Sequence, residues 1–358
     1  MAEPSLRILL VAPASSGGIG GHVRDLAGGL RGRGRHVTVA APAATLATFD
    51  LAAIADAVVA LPIGTARPAV FARLRRLARS ADVVHAHGVR AGAAAAFAAA
   101  GAPLVVTWHN APLGGRLRRA VHAALERVCA RRADRILVAS ADLLERARRA
   151  GAVTAELVPV ASPPPTARTA GDGEAAVDLR SLAAGRLVVV CVARLHPQKR
   201  VDLLVSALAG QGELHAFVAG DGPLRDRLER QIGASRAPVT LLGRRGDVAA
   251  LYAQADLAVL PSDWEARPLA VQEALRAGVP TVCTDVGGVA DLVGDAAVVV
   301  PPGDAEALRA ALLGLAADPQ RRAALAAAGV HQAAGWPTVD NTVDSVDNIY
   351  LNLYSRRR

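Results

Sequence analysis

The segment RLVVVCVARLHPQKRVDLLVSAL (186–208) decides the fold class. Its first part is a continuous apolar run, which is typical of a strand buried on both faces of a parallel sheet. After a polar turn, VDLLVSAL has its apolar residues at helical spacing. A buried strand followed by a helix is half of a βαβ unit, so the segment predicts a doubly wound α/β domain.

Apolar runs of the same kind alternate with helical segments along the chain: RILLVAP (7–13), HVTVAAP (36–42), DVVHAHG (82–88), LVVTWHN (104–110), RILVAS (135–140), ELHAFVAG (213–220), VTLLG (239–243), DLAVLPS (256–262), PTVCTD (280–285) and AAVVVPP (296–302). The 358 residues are too many for one ordinary core. We therefore predict two parallel-sheet domains of similar length, with a cleft between them.

The proline-rich segment VPVASPPPTARTA (158–170) interrupts the pattern and is the predicted linker. It places an N-terminal domain at 1–165 and a C-terminal domain at 166–338. Residues 339–358 are predicted to form an amphipathic last helix, which could pack across the domain junction; its sequence does not assign it to either domain. Its apolar stripe has 4-3-4-3 spacing, with aspartates off the stripe: Val339, Val343, Val346, Tyr350 and Leu353.

The composition bounds the function classes. There is no uninterrupted apolar run of 18 residues and no signal-peptide pattern, so we expect a soluble, cytoplasmic protein. Isolated Cys129, Cys191 and Cys283 indicate neither a disulfide framework nor a zinc site.

The net charge of +9 is concentrated in the first half. Residues 1–165 contain 21 arginines against 10 acidic residues, whereas the remainder is nearly neutral. RLRRLAR (73–79) and RLRRAVHAALERVCARR (116–132) could dock on anionic lipid or on an acidic acceptor, although a solvated arginine surface is the alternative. Aromatic residues are only 3% of the chain and are not interleaved with the arginines, so we expect no nucleic-acid partner.

Two motifs suit phosphate binding. SSGGIGGHV (15–23) follows the first strand, and its glycines would let the backbone approach a phosphate, unless they form only a tight turn. A dehydrogenase fingerprint fails because Val23 stands where the third glycine is needed. In VARLHPQKRVD (192–202), Lys199 is the only lysine of the chain, which indicates a point-charge role. Arg194 and Lys199 could clamp a diphosphate, or be ordinary surface cations.

The segment DWEARPLAVQEALRAG (263–278) contains two glutamates on either side of a proline. Pro268 suits the first turn of a helix, so we predict a helix from near Arg267 to Gly278. Glu265 then lies in the preceding loop and Glu273 inside the helix. The free N–H groups at the helix start, on Leu269 and Ala270, are predicted to meet the diphosphate.

Together, GGIGGHV, ARLHPQKRVDLLVSAL, VAGDGPLRDRL and the E-x7-E of Glu265 and Glu273 resemble the retaining glycosyltransferases of the GT-B fold, family 4. The motifs follow the family's order and cover nearly the whole chain. The resemblance implies an α/β GT-B architecture, with two Rossmann-like doubly wound parallel-sheet domains facing a central cleft. The N-terminal domain would bind the acceptor and the C-terminal domain the nucleotide sugar.

The resemblance also implies residue roles. Arg194 and Lys199 would hold the donor diphosphate, Glu265 would contact the donor sugar and Glu273 the ribose. His109, in TWHN, would lie against the sugar near the reacting centre. The predicted catalytic residues are His109, Arg194, Lys199 and Glu265, and the predicted donor-binding residues are Gly17, Gly18, Gly220, Leu269, Ala270 and Glu273. His22, His85 and His87 are expected to be mainly architectural.

The implied function is retaining transfer of a hexose-type sugar from a nucleoside diphosphate sugar to a lipid-linked or other anionic acceptor. No D-x-D string occurs, so we expect neither a metal nor a cofactor. Arg194, Lys199 and the helix N-terminus would instead stabilise the charge on the leaving diphosphate. A GT-B sugar-nucleotide epimerase and a non-catalytic sugar-nucleotide binding protein are the alternatives. Arg267 stands where the family commonly has a small residue.

Overall fold

The computed structural model describes residues 5–15, 17–65, 67–99, 101–112, 114–161 and 177–357. The chain divides into two compact units. The first comprises Met1–Ala161 and Pro337–Arg358, and the second comprises Ser162–Trp336. Most of the predicted linker at 158–170, including the proposed boundary at 165, lies outside the described residues.

The first unit contains a parallel sheet with the strand order β3-β2-β1-β4-β5-β6-β7 in its described part. The strands are β1 (Arg7–Val11), β2 (His36–Ala41), β3 (Ala57–Ala60), β4 (Val83–His87), β5 (Leu104–Trp108), β6 (Arg135–Val138) and β7 (Ala155–Leu157). Every residue of β4 and β5 is buried, as expected for central strands of a parallel sheet that is covered on both faces.

Helices cover this sheet. They are α1 (Gly18–Gly32), α2 (Ala43–Thr48), α3 (Leu51–Ile54), α4 (Pro68–Arg79), α5 (Val89–Ala98), α6 (Arg116–Arg132) and α7 (Ala141–Arg149). Helix α5 is almost entirely buried, and its alanine-rich sequence suits this because small side chains permit close packing. Helix α4 buries only one stripe, which includes Val70, Leu74 and Ala78, and leaves its arginines exposed.

The second unit repeats the design with the strand order β10-β9-β8-β11-β12-β13. Its strands are β8 (Leu187–Val192), β9 (Leu214–Ala219), β10 (Val239–Gly243), β11 (Leu257–Leu260), β12 (Thr281–Thr284) and β13 (Val298–Val300). Its helices are α8 (Leu179–Ala183), α9 (Val201–Leu208), α10 (Arg225–Ser235), α11 (Val248–Tyr252), α12 (Leu269–Arg276), α13 (Val289–Val293), α14 (Ala305–Ala317) and α15 (Pro319–Ala334), with 3₁₀ turns at Pro197–Lys199 and Gly294–Ala296. The segment 186–208 forms β8, a turn and α9, as predicted.

The last helix, α16 (Val339–Ser355), belongs to the first unit. The predicted apolar stripe is confirmed, because Val343, Val346 and Tyr350 are buried in the core of that unit. Asp347, which lies off the stripe, is also buried and accepts two hydrogen bonds from the guanidinium of Arg35, at 2.8 and 2.7 Å. In the described part of the chain, no helix has the length and apolar character needed to cross a membrane.

Both sheets reverse their strand order once, between β1 and β4 in the first unit and between β8 and β11 in the second. In doubly wound sheets, ligands bind beyond the carboxyl ends of the strands at such reversals. Gly17 and Gly18 follow β1, and His87 ends β4. Lys199 follows β8, and Glu265 follows β11. Each unit therefore places predicted site residues at its own reversal point.

Candidate functional site

The centre of the site in the second unit is an ion pair between Lys199 and Glu265. The Nζ atom of Lys199 contacts Oε1 of Glu265, and the two side chains are only 17% and 10% exposed. The sequence assigned these residues to different parts of the donor, whereas the structure brings them together. A pair this deeply placed must hold its geometry, since loss of one partner would leave the other charge buried and unpaired.

Hydrogen bonds between the two loops fix this geometry. The side-chain amide of Gln198 donates to the carbonyl oxygen of Trp264 at 2.7 Å, and the N–H of Asp263 donates to the carbonyl oxygen of Gln198 at 2.8 Å. The guanidinium of Arg200 donates to Asp263 at 2.9 Å. The residues on both sides of Lys199 are therefore tied to those just before Glu265.

A glycine turn supports Glu265 from behind. The N–H of Gly288 donates to the carbonyl oxygen of Glu265 at 3.0 Å. Gly287 has a left-handed φ of +54°, and a Cβ there would lie 2.0 Å from the same oxygen. Only glycine combines that backbone conformation with that approach.

Arg194 and Gly220 are two further residues that the sequence predicted for the site in this unit. The side chain of Arg194 is exposed, and among the described residues it has no hydrogen bond or ion pair, so it is available to an anion. Gly220 directly follows β9, and a Cβ on it would lie 1.9 Å from the carbonyl oxygen of Ala193. Gly220 thus lets two strand ends approach each other directly before Arg194.

Helix α12 begins at Leu269, two residues later than the Arg267 predicted from the sequence. The N–H groups of Leu269 and Ala270 are in its first turn, where no carbonyl within the helix can accept from them. The hydroxyl of Tyr252 donates to the carbonyl oxygen of Ala270 at 2.9 Å. Glu273 lies one turn further on and is half-buried. Burial, with the nearby charge of Glu273, raises the pKa of Tyr252 well above its usual range.

Arg267 lies against an aromatic ring. Its guanidinium carbon is 5.5 Å from the ring centroid of Trp336, and that of Arg276 is equally distant from the same ring. Burial and the neighbouring charge of Arg276 lower the pKa of Arg267 to about 10. The cation–π contact gives Arg267 a packing role that its position in the motif did not reveal.

The site in the first unit is a cluster of four buried histidines: His22, His85, His87 and His109. Nδ1 of His87 is 3.3 Å from Nε2 of His109, and the two rings stack with centroids 5.5 Å apart. The ring of His22 lies 5.4 Å from each of these two rings, and that of His85 lies 4.3 Å from His87. Predicted His109 is thus in direct contact with histidines that the sequence marked as architectural.

The outer member of the cluster is anchored on two sides. Nε2 of His85 is hydrogen-bonded to the hydroxyl of Thr107 at 2.6 Å, and Nδ1 to the hydroxyl of Tyr350 at 2.5 Å. Tyr350 comes from α16, more than 260 residues away in sequence. The last helix therefore contributes directly to the histidine cluster, which no local motif signals.

Burial keeps these imidazoles uncharged. It lowers the pKa of His22 to about 4 and, with the nearby His22, that of His85 to about 3. Burial and the neighbouring imidazoles hold the pKa values of His87 and His109 well below the usual range. At neutral pH, His109 can therefore donate or accept a hydrogen bond, but it carries no positive charge.

Nitrogen atoms of His22, His87 and His109 all lie within 4.8 Å of one another, so this group could hold a metal ion.

The predicted glycines Gly17 and Gly18 lie at the start of α1. The N–H of Gly17 and that of Gly20 point to the hydroxyl of Ser15, at 3.4 and 3.1 Å. The proposed phosphate contact of the two glycines stays a prediction.

Comparison with known proteins decides the family. The family model for glycosyl transferase 4-like domains matches residues 17–163, and that for glycosyl transferases group 1 matches 180–332. A GDP-mannose-dependent alpha-(1-6)-phosphatidylinositol monomannoside mannosyltransferase from Mycolicibacterium smegmatis is 30% identical over 294 residues, covering 74% of this chain and 76% of the relative. The chain belongs to the family 4-type glycosyltransferases. The resemblance to the family 4 glycosyltransferases that was drawn from the sequence motifs is confirmed, whereas retention stays a prediction.

The fold of this glycosyltransferase is also confirmed as GT-B. HepE from Anabaena, in a crystal structure with UDP and glucose, aligns with a TM-score of 0.82 at 23% identity, covering 96% of this chain and 99% of that one. Other relatives match only in part. The alignment covers 20% of an exopolysaccharide phosphotransferase from Streptomyces coelicolor and 41% of a GDP-mannose-dependent alpha-mannosyltransferase from M. smegmatis, so the chain spans less than two thirds of these relatives.

Proposed function

We propose that this glycosyltransferase moves a hexose-type sugar from a nucleoside diphosphate donor to an acceptor, with retention and without a metal at the diphosphate. The observation that carries the proposal is the Lys199–Glu265 pair at the strand reversal of the second unit. Two comparisons support the donor class. The 30% identical relative is named as GDP-mannose-dependent, and the HepE structure is described with UDP and glucose.

The second unit contains the positive groups that a leaving diphosphate needs. Arg194 is exposed and free of described partners, Lys199 is a compact ammonium, and the first N–H groups of α12 add the positive end of a helix dipole. Charge builds on the leaving phosphate as the sugar–oxygen bond breaks, so preorganised donors lower the barrier. No cofactor is required for this step.

Glu265 serves the sugar in this proposal. Its contact with Lys199 leaves a second carboxylate oxygen that can accept from sugar hydroxyls. Glu273, half-buried on α12, would accept from the ribose hydroxyls. His109, neutral at physiological pH, would accept or donate one hydrogen bond beside the sugar. Retention would follow from front-face attack, the leaving diphosphate accepting the proton of the incoming hydroxyl.

A donor screen tests this proposal. UDP, GDP and ADP, each free and as a glucose or mannose conjugate, are added to the protein, and the melting temperature is measured, since a bound ligand stabilises the folded state by mass action. Lys199→Met should abolish the stabilisation by the matching donor, whereas Arg230→Ala, an exposed cation on α10, should not. If Lys199→Met binds every donor as the wild type does, the phosphate assignment is wrong.

Product analysis separates the alternatives. A transferase consumes the donor and links its sugar to an acceptor or to water, with the nucleoside diphosphate released. An epimerase would change the sugar while it remains attached to the nucleotide, and a binding protein would leave the donor intact. NMR of the reaction mixture distinguishes these outcomes, and the configuration of the anomeric proton reports retention or inversion directly.

We further propose that the acceptor is anionic and lies at a lipid surface, and that α6 contacts this surface. Leu117 and Val121, one turn apart on α6, are 80% and 52% exposed. Exposed Arg116, Arg118 and Arg119 surround them. Apolar side chains among arginines are typical of helices that lie in the interface of an anionic membrane.

Co-sedimentation with vesicles tests the membrane contact. Binding should be stronger to phosphatidylglycerol vesicles than to phosphatidylcholine vesicles, and it should weaken as salt screens the charges. Leu117→Ser with Val121→Ser should reduce it, whereas Val153→Ser, which changes a 95% exposed residue in the same unit, should not. Equal binding to both vesicle types at low and high salt would exclude this contact.

A further inference from the structure

Three of the four buried histidines form a nearly equilateral triangle. His22 comes from α1, His87 ends β4, and His109 directly follows β5. Their ring centroids are separated by 5.4, 5.4 and 5.5 Å. Nitrogen atoms of the three rings all lie within 4.8 Å of one another.

These separations suit a metal ion. A tetrahedral zinc ion with Zn–N bonds of about 2.0–2.1 Å holds its nitrogen ligands about 3.3 Å apart. Nδ1 of His87 and Nε2 of His109 are separated by 3.3 Å. A nitrogen atom of His22 lies within 4.8 Å of both other ligand atoms, and the His22 side chain also lines a cavity with Asp25 and Thr342.

Two of the candidate ligand atoms have no partner other than each other. Among the described residues, Nδ1 of His87 and Nε2 of His109 are hydrogen-bonded only to one another. Both atoms can therefore turn to an ion without loss of another hydrogen bond. The outer histidine, His85, has both ring nitrogens engaged by hydroxyl groups, so it serves as a fixed wall rather than a ligand.

The donor set indicates the class of ion. Three imidazole nitrogens suit Zn²⁺, Co²⁺, Ni²⁺ or Cu²⁺, whereas Mg²⁺ and Ca²⁺ require oxygen ligands. Three protein ligands leave one coordination position open. The uncharged state of these buried rings is also the state that binds metal.

We propose that His22, His87 and His109 form a binding site for a transition-metal dication such as Zn²⁺, and that the bound ion inhibits sugar transfer by occupying His109. The second part rests on the proposed function of His109, whereas the first part does not. The ion is not required for catalysis in this scheme.

Metal titration of tag-free protein tests the site. Wild-type protein should bind one equivalent of Co²⁺ with the visible absorption of a four-coordinate site, and Zn²⁺ should displace it. His22→Asn and His87→Asn should each weaken binding by at least about tenfold. His36→Asn and His331→Asn change exposed histidines and should leave the affinity unchanged.

A second measurement does not depend on the variants folding. X-ray absorption of the Zn²⁺-loaded wild type should show nitrogen ligands at about 2.0 Å with imidazole scattering from three rings. Wild-type protein that binds no stoichiometric Co²⁺ or Zn²⁺ overturns the proposal. So does binding that is lost in His36→Asn or His331→Asn but retained in His22→Asn and His87→Asn.

Activity separates the two parts of the proposal. Zn²⁺ should reduce donor turnover by the wild type, and EDTA should restore it. If Zn²⁺ binds to the three histidines without reducing turnover, the inhibitory role is wrong and the site remains. If no donor is turned over at all, the proposed function is wrong, while the binding measurements still decide the site.

Discussion

Replacing Gly287 by alanine should displace Glu265. The new Cβ would lie 2.0 Å from the carbonyl oxygen of Glu265 and 2.9 Å from Nε1 of Trp264. Because Cβ atoms essentially never approach other atoms to within 3.0 Å, the carbonyl must move by about 1 Å. That movement also disturbs the hydrogen bond that the oxygen accepts from Gly288.

Two separate effects follow. The left-handed backbone at Gly287, with φ of +54°, costs a residue with a Cβ roughly 1–2 kcal/mol, and a lost hydrogen bond costs about 1 kcal/mol more. Unfolding free energy should therefore fall by about 2–3 kcal/mol. A misplacement of about 1 Å at a substrate-positioning group can lower the rate about 100-fold. We expect kcat/KM for the donor to fall by that order.

Gly294→Ala is the matched control. Gly294 has a φ of +51°, but the nearest atom to its added Cβ, in the Gln332 side chain, is 3.6 Å away. Urea unfolding should show the backbone cost in both variants. Donor affinity and turnover should fall only in Gly287→Ala. If the two variants differ by less than about twofold in kcat/KM, the turn does not position Glu265 and this reasoning is refuted.

Three further outcomes are expected. Asp347→Ala removes two charge-assisted hydrogen bonds to the buried guanidinium of Arg35 and should lower the unfolding free energy by about 1.5–3 kcal/mol, whereas the 56% exposed Asp344 should tolerate alanine within about 1 kcal/mol; urea denaturation measures both. Burial raises the pKa of Asp25 to about 6, so its stabilising effect is full below about pH 4 and is lost as pH rises through 6. At pH 8, the unfolding free energy of Asp25→Asn should therefore exceed that of the wild type by about 1 kcal/mol after solvent screening, whereas near pH 4 the two should be equal. Equal unfolding free energies at pH 8 would contradict this. Tyr350→Phe removes the hydroxyl bonded to a buried imidazole and should cost about 1–3 kcal/mol of unfolding free energy; a change below about 0.5 kcal/mol would show that the imidazole finds another partner.

Most of the strands that the sequence predicted are largely buried, although β10 and β13 are only partly so. Strands β3 and β7 were not predicted, because they have only four and three residues and none of these residues is fully buried. β3 is apolar but only four residues long, and β7 contains a glutamate, so these two strands are recognised by their pairing with β2 and β6 rather than by their sequences. The predicted strands β4 and β5 show the opposite case, because every residue in them is buried.

The predicted site residues came from motifs, and motifs do not reveal contacts between distant positions. Lys199 and Glu265 were both predicted, yet their ion pair joins residues 66 apart. His22 and His87 were expected to be mainly architectural. Only the fold shows that the rings of both residues contact the ring of His109.

The role of α16 follows from what it buries. Without this helix, Arg35 would lose its buried counter-ion and His85 would lose the hydroxyl of Tyr350. Loss of hydrogen bonds to a buried guanidinium and loss of a partner of a buried imidazole both cost folding free energy. The first unit is therefore discontinuous in sequence, and residues 5–161 alone lack part of its core. Because His85 packs on His87, and His87 on His109, the same helix that completes this core also supports the histidine assigned to the reaction.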